Sequence, residues 1–304
     1  MTVGAPDWPR KTREVRLAQM DSRVWNGFPF RDDDIVIATY AKAGTTWMQQ
    51  IVAELVLGGS AGDLSVNAIS PWLDSRTQPF PERLALLEAQ THRRFVKTHL
   101  PLDALVFSPR ARYIYLARDG RDVVWSMHNH HLQLKDIVYE LFNRDLEPGI
   151  APFDRPDLEI VPYFRRWMDR NGHPWWPFWE NVRTWWAVRH LPNVLVVHFN
   201  DLKRDLSGEI GRIADFLGVS LDQRRLDAVT VHCSFEYMQA NAERFAPRAG
   251  SQLEGGARSF IHKGTNGRWR ELLAPGDIAR YETLASNELG PDCARWLAEG
   301  GKAG

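Results

Sequence analysis

Four side chains suited to handling a charged group stand at the ends of short apolar runs. Lys42 follows residues 35–40, Lys97 and His99 follow Phe95-Val96, and Arg118 follows residues 113–117. Three cations and an imidazole brought to one rim suit a polyanion and a proton to be removed. Segment 40–47, Tyr-Ala-Lys-Ala-Gly-Thr-Thr-Trp, lies between an apolar run and a helical pattern. Backbone N–H groups at a helix start, with the helix dipole, form an anion site. Lys42 adds charge there, Gly44 permits close approach, and Thr45 and Thr46 add hydroxyl donors. The same threonines serve equally well as plain helix caps, because the spacing is not the Walker form GxxxxGK[ST]. On this segment alone both readings stand.

Other candidate groups have plainer readings. A lone His99 is more often structural than catalytic. His128, His130 and His131 invite a metal, but His128 and His131 are i, i+3 with no carboxylate at ligand spacing. They read as a polar helix end flanking a pocket, and no metal is expected. Asp32, Asp33 and Asp34 read as a solvated start to a strand. Two cysteines, Cys233 and Cys293, support neither a disulfide framework nor a cysteine-based zinc site.

The elements that must position these groups alternate in type. The apolar runs at 35–40, 95–96, 113–117 and 194–199 read as strands. Helical spacing follows from Thr45, with a stop at Gly58-Gly59, from Asp122 towards His131, and from Leu206 to Leu217 before Gly218. Continuous apolar strands alternating with helices predict an α/β fold, doubly wound, with a central parallel sheet covered on both faces. In such sheets ligands bind beyond the C-terminal strand ends, where the four charged groups fall. Residues 139–186, rich in Pro and Trp, read as an excursion of loops and then a helix carrying Trp185 and Trp186. Tryptophans are more often core than recognition surface, yet this irregularity suggests that Trp175, Trp176 and Trp179 line a pocket. The glycine-rich stretch 246–269 reads as a second long loop.

Composition narrows the function classes. The chain has 304 residues, long enough for one large or two small domains, and no composition break divides it. Lys+Arg and Asp+Glu are each 38, so the net charge is zero, which disfavours nucleic-acid or anionic-membrane partners. The N-terminus lacks an apolar signal region and no run approaches the length of a transmembrane helix. The expectation is a cytoplasmic, single-domain chain over 1–304.

Several segments, taken in order, resemble the cytosolic-type sulfotransferases. Lys42-Ala-Gly-Thr-Thr-Trp47 resembles their PKSGTTW loop, residues 96–101 (VKTHLP) their KTHLP segment, and residues 115–126 (YLARDGRDVVWS) their YxARNxKDVxxS segment. Residues 199–203 (FNDLK) are similar to YEDLK, 233–238 (CSFEYM) to TSFxxM, and 260–269 (FIHKGTNGRW) to FxRKGxxGDW. The resemblance covers roughly 30–270. It implies in-line transfer of a sulfuryl group from 3′-phosphoadenosine 5′-phosphosulfate (PAPS) to a hydroxyl or amine of a small, aromatic or apolar acceptor, without a metal. It implies a P-loop-like phosphosulfate loop and a catalytic set of His99 as general base, Lys42, Lys97 and Ser126. The implied donor-holding set is Lys42, Ala43, Gly44, Thr45, Thr46, Trp47, Arg118, Ser126, Phe199, Cys233, Ser234, Phe235, Met238, Phe260, Ile261, His262, Lys263 and Gly264.

Three positions depart from the family pattern. His262 replaces its arginine, Phe199 its tyrosine, and the dimer motif after the last loop is not matched, which leaves the oligomeric state open. The rivals are a P-loop-type small-molecule kinase, which would need magnesium, and a non-catalytic nucleotide-binding relative.

Overall fold

The structure, a computed structural model, describes residues 7–58, 65–247, 249–261 and 263–303. Four strands, β1 (Ile35–Thr39), β2 (Phe95–Thr98), β3 (Arg112–Ala117) and β4 (Val194–His198), form one parallel sheet in the order β2-β1-β3-β4. Ile35 pairs with Phe95 on one side and Arg112 on the other, and Tyr113 with Val194, so the C-terminal strand ends share one edge.

Alternation along the strands divides two cores. Ile35, Ile37, Ile114, Leu116 and Val197 face the Thr45–Leu57 and Leu206–Leu217 helices, meeting Met48, Ile51, Val52, Ile210 and Ile213. Val36, Ala38, Tyr113, Tyr115 and Val196 face the opposite way, into an aromatic core that includes Trp185. A strand with both faces buried must be apolar at every position, as β1 is.

Local sequence sets the helix limits. Gly44 (φ +108°) precedes the first helix, and Gly58 (φ +65°) ends it with its N–H on the Glu54 carbonyl. Asp119 caps the Gly120–Leu132 helix by accepting from the Arg121 N–H. Asp205 caps the Leu206–Leu217 helix and Gly218 ends it in the left-handed conformation.

Two stretches read as loops are partly helical. Within 139–186, the Ile160–Asp169 helix buries Tyr163, Phe164, Trp167 and Met168, and precedes the Phe178–Ala187 helix. Pro162 sits in its first turn, where a missing N–H is tolerated, so the proline did not exclude a helix. In 246–269, short helices occupy Ala249–Gln252 and Gly256–Phe260. Asp34 also differs from expectation: it is buried and pairs through both carboxylate oxygens with Arg94, while Asp32 and Asp33 remain exposed.

Candidate active site

β2 ends at Thr98, and Pro101, which lacks an N–H, prevents the strand from continuing. His99 is therefore turned off the sheet edge and held from both sides. Asn181 Nδ2 donates to its carbonyl at 2.9 Å, and Trp185 Nε1 donates to the Leu100 carbonyl at 3.1 Å. The imidazole Nδ1 lies 2.9 Å from the Thr39 carbonyl oxygen and 3.2 Å from Thr39 Oγ1. A carbonyl only accepts, so Nδ1 carries the hydrogen and Nε2 keeps its lone pair. Burial, followed by the Lys97 charge, pulls the imidazole down to about 3, so it is neutral at ordinary pH.

The phosphosulfate-type loop turns through Lys42 (φ +63°) and Gly44, and the Ala43 N–H reaches the Tyr40 carbonyl. A Cβ on Gly44 would meet Leu116 Cδ2 and Phe199 Cδ2 at 3.0 Å, so the position is closed to a side chain. Lys42 Nζ lies over the Phe260 ring, 4.5 Å from its centroid. Burial, then Arg118 and Lys97, lower its amine to about 8. Burial likewise brings Lys97 to about 8, partly offset by Asp74. Burial brings Arg118 to about 10. Three desolvated cations that repel one another are a site that an anion would relieve.

Arg118 is held by neutral acceptors. Its guanidinium donates to Asn266 Oδ1 (2.7 and 3.1 Å), the Thr265 carbonyl (3.1 Å) and the Lys42 carbonyl (3.2 Å), and stacks over Phe199 at 4.3 Å. Loop 263–267 is tied down further, by Lys203 Nζ on the Gly264 carbonyl and by the Gly267 N–H on Asp122 Oδ1, both at 2.7 Å.

Aromatic groups gather beside this loop. Trp47 Nε1 donates to the Cys233 carbonyl at 2.7 Å, and its ring meets Phe199 edge-on at 5.3 Å. A Cβ on Gly264 would lie 2.8 Å from the Phe235 ring, so the loop backbone covers that face. Met238 and the Cys233 side chain are buried in the core beneath, and Ile261 packs on both cores. Ser234 caps the Phe235–Ala240 helix, its Oγ accepting from the Tyr237 N–H. Thr46 is half-exposed, Lys263 is exposed, and His262 lies outside the described residues. Ser126 is half-buried on the Gly120–Leu132 helix and has no hydrogen bond to these groups among the described residues.

A belt of rings runs from His99 to Lys42. Trp176 stacks on His99 at 5.1 Å, Trp175 follows at 5.7 Å, then His130 at 6.2 Å, then Phe260 at 6.0 Å, on which Lys42 sits. Trp72 closes the other side of His99, edge-on at 5.0 Å, because residue 72 bridges to Lys97 on β2. Trp179 does not join this belt; it packs against Trp167, Phe178 and Tyr281 in the core. His128 and His131 are not a pocket rim either: their Nε2 atoms lie 2.9 and 2.8 Å from the Asp157 and Asp154 carbonyls. Among the described residues no three metal-ligating side chains cluster.

Sequence reading missed Thr39, Trp72, Asp122 and Asn266. Asp122 and Asn266 lie inside the segments 115–126 and 260–269, where their polar side chains were the available signal. Trp72 had no periodic pattern around it.

Comparison with known proteins identifies the family. The sulfotransferase domain family matches residues 32–290. The chain is 30% identical to a glycolipid sulfotransferase of Mycobacterium bovis, over 94% of both chains. It is 30% identical to rat sulfotransferase 1A1, over 86% of both. A crystal structure of retinol dehydratase in complex with retinol and PAP superposes with a TM-score of 0.71 at 26% identity, covering 88% of this chain and 84% of that one. With the matched domain spanning the sheet, the cationic rim and the loops that close it, the chain belongs to the sulfotransferase family.

Proposed function

We propose that the protein transfers a sulfuryl group from PAPS to a hydroxyl of a small apolar or aromatic acceptor, with His99 as general base. The observation that carries this is the commitment of Nδ1 to the Thr39 carbonyl, which leaves a neutral Nε2 on a ring within reach of the Lys97 charge, itself coupled to Lys42. PAPS supplies the sulfuryl group and an adenosine bisphosphate leaving group. Nε2 accepts the acceptor's hydroxyl proton, a contribution of about 10²–10⁴-fold for such groups. Lys42 and Lys97 offset negative charge that gathers between donor and acceptor. Their lowered affinity for protons is reversed when an anion shares the rim. Arg118, already oriented by Asn266 and Thr265, presents its fork to a phosphate, and Ser126 adds a hydroxyl from the adjoining helix. Trp47, half-buried beside Phe199 and Phe235, gives a nucleobase an aromatic face.

The ring belt from Trp176 to Phe260 supports an aromatic or apolar acceptor, held with its hydroxyl at His99. The relatives are compatible with this class, one being a glycolipid sulfotransferase and another a structure holding retinol. We assign the whole chain, 1–304, to one sulfotransferase domain with 139–186 as its acceptor side. Calorimetry tests the reading: 3′,5′-adenosine bisphosphate (PAP) binds tightly without metal while ATP binds weakly with or without magnesium. Preference for magnesium-ATP, or binding of neither nucleotide, would overturn it.

A further inference from the structure

Thr39, the last residue of β1, is fully buried and makes three contacts that fix the direction of a hydrogen-bond chain. Its carbonyl takes the His99 Nδ1 hydrogen at 2.9 Å, and its Oγ1 lies 3.2 Å from the same nitrogen. With a hydrogen already on Nδ1, the Thr39 hydroxyl cannot donate to the imidazole. Either hydroxyl can donate across the 2.6 Å contact between Thr39 Oγ1 and Thr45 Oγ1, and donation from Thr39 is the direction that gives its buried hydrogen an acceptor. Thr45, having accepted, turns its hydrogen away from Thr39, at the first residue of the Thr45–Leu57 helix. The Nδ1 hydrogen is thus shared between the Thr39 carbonyl and, as the longer branch, Thr39 Oγ1, and the Thr39 hydroxyl passes its own hydrogen on to Thr45.

We propose that Thr39 is a positioning residue through which an anion on the Thr45 helix start raises the basicity of His99. This rests on reading Thr45 as part of the donor loop and His99 as the base. An anion that accepts the Thr45 hydrogen makes Thr45 Oγ1 a stronger acceptor, which polarises the Thr39 hydroxyl and then the Nδ1–H bond. Electron density moves towards the ring and Nε2 becomes a better proton acceptor. Lys97 is the charged group facing the imidazole, and Trp72 and Trp176 cover its other sides, so the Thr39 contact is its polar link to the loop. The base strengthens when the donor is present.

The test uses the full chain with ¹⁵N-labelled histidine, PAP as ligand, and His99→Asn to assign the resonance. Wild type shows hydrogen on Nδ1 and a bare Nε2, and PAP moves the His99 Nδ1 signal. Thr39→Ser retains that movement. Thr39→Val loses about half of it or more, the through-space part remaining, while PAP affinity stays within about two-fold. A hydrogen on Nε2 in the wild-type protein overturns the proposal even if Thr39→Val does not fold. So does a folded Thr39→Val that keeps the full response. Transfer from PAPS to 2-naphthol by His99→Asn at the wild-type rate would sink the base assignment instead, leaving the hydrogen-bond chain to its own spectra.

Discussion

The strand-end rim and the aromatic insert meet at His99, but they are built in opposite ways. On the rim, Lys42, Lys97, His99 and Arg118 each stand within three residues of a strand end, and the sheet ladder fixes the strand ends that carry them. In the insert, Trp167, Trp176, Trp179 and Trp185 are almost wholly buried, and Trp167 and Trp179 are held by packing between the consecutive Ile160–Asp169 and Phe178–Ala187 helices. Trp185 stacks on Tyr115 of the sheet at 5.5 Å, whereas Trp176 stacks on His99 at the strand ends. The same residue type does both because the aromatic core extends from beneath the sheet to the strand-end rim. The histidines divide likewise: His99 keeps Nε2 open, while His128 and His131 direct theirs at loop carbonyls.

The largest test of that division is His99→Ala. Transfer should fall about 10²–10⁴-fold, with PAP affinity by calorimetry retained. If transfer persisted, the rim would not be where the proton leaves.

Trp179→Ala probes the other region. It should lose about 3–5 kcal/mol of stability in urea unfolding, because the ring is buried away from the belt. The folded variant should bind PAP as wild type does. A donor-binding defect would erase the distinction between the regions.

Arg118→Ala should weaken PAP binding by about 2–5 kcal/mol, since it removes a buried, oriented charge that faces an anion. Unchanged affinity would mean that the phosphate grip lies elsewhere.

A smaller effect sharpens how the rim loop is held. Burial, against the pull of Arg118, raises the Asp122 carboxyl to about 6, above its ordinary 3.8. The folded state then holds the proton more tightly than the unfolded chain. The contribution is complete below about pH 4 and declines as pH rises through 6. Asp122→Asn keeps an oxygen for the Gly267 N–H and should flatten that part of the stability–pH curve, read from urea midpoints at pH 4 and 7. An unaltered slope would show that Asp122 does not govern it.

The rim was legible in the chain because its signals are local. An apolar run, a glycine read as permitting close approach and a following helix pattern lie within residues 35–48, and the structure has a strand, a glycine at positive φ and a helix there. Leu206 to Leu217 was likewise readable from its spacing and the terminal Gly218. The insert was not. Pro162 masked the Ile160–Asp169 helix, since a proline disrupts a helix interior but not its first turn. Trp179 was expected beside the pocket and lies in the core, because nothing local distinguishes it from Trp176. Asp34 was expected in solvent, and only the folded chain brings Arg94 to it across sixty positions of sequence.

The sequence by itself determined the strands, their helices, the cations at the strand ends and the family they belong to, because hydrophobic period and glycine conformation act over a few residues. The tertiary structure alone decided which nitrogen of His99 is free, which tryptophans face it and what orients Arg118. Those follow from hydrogen bonds and ring contacts between residues 27 to 148 positions apart, whose geometry no local preference encodes.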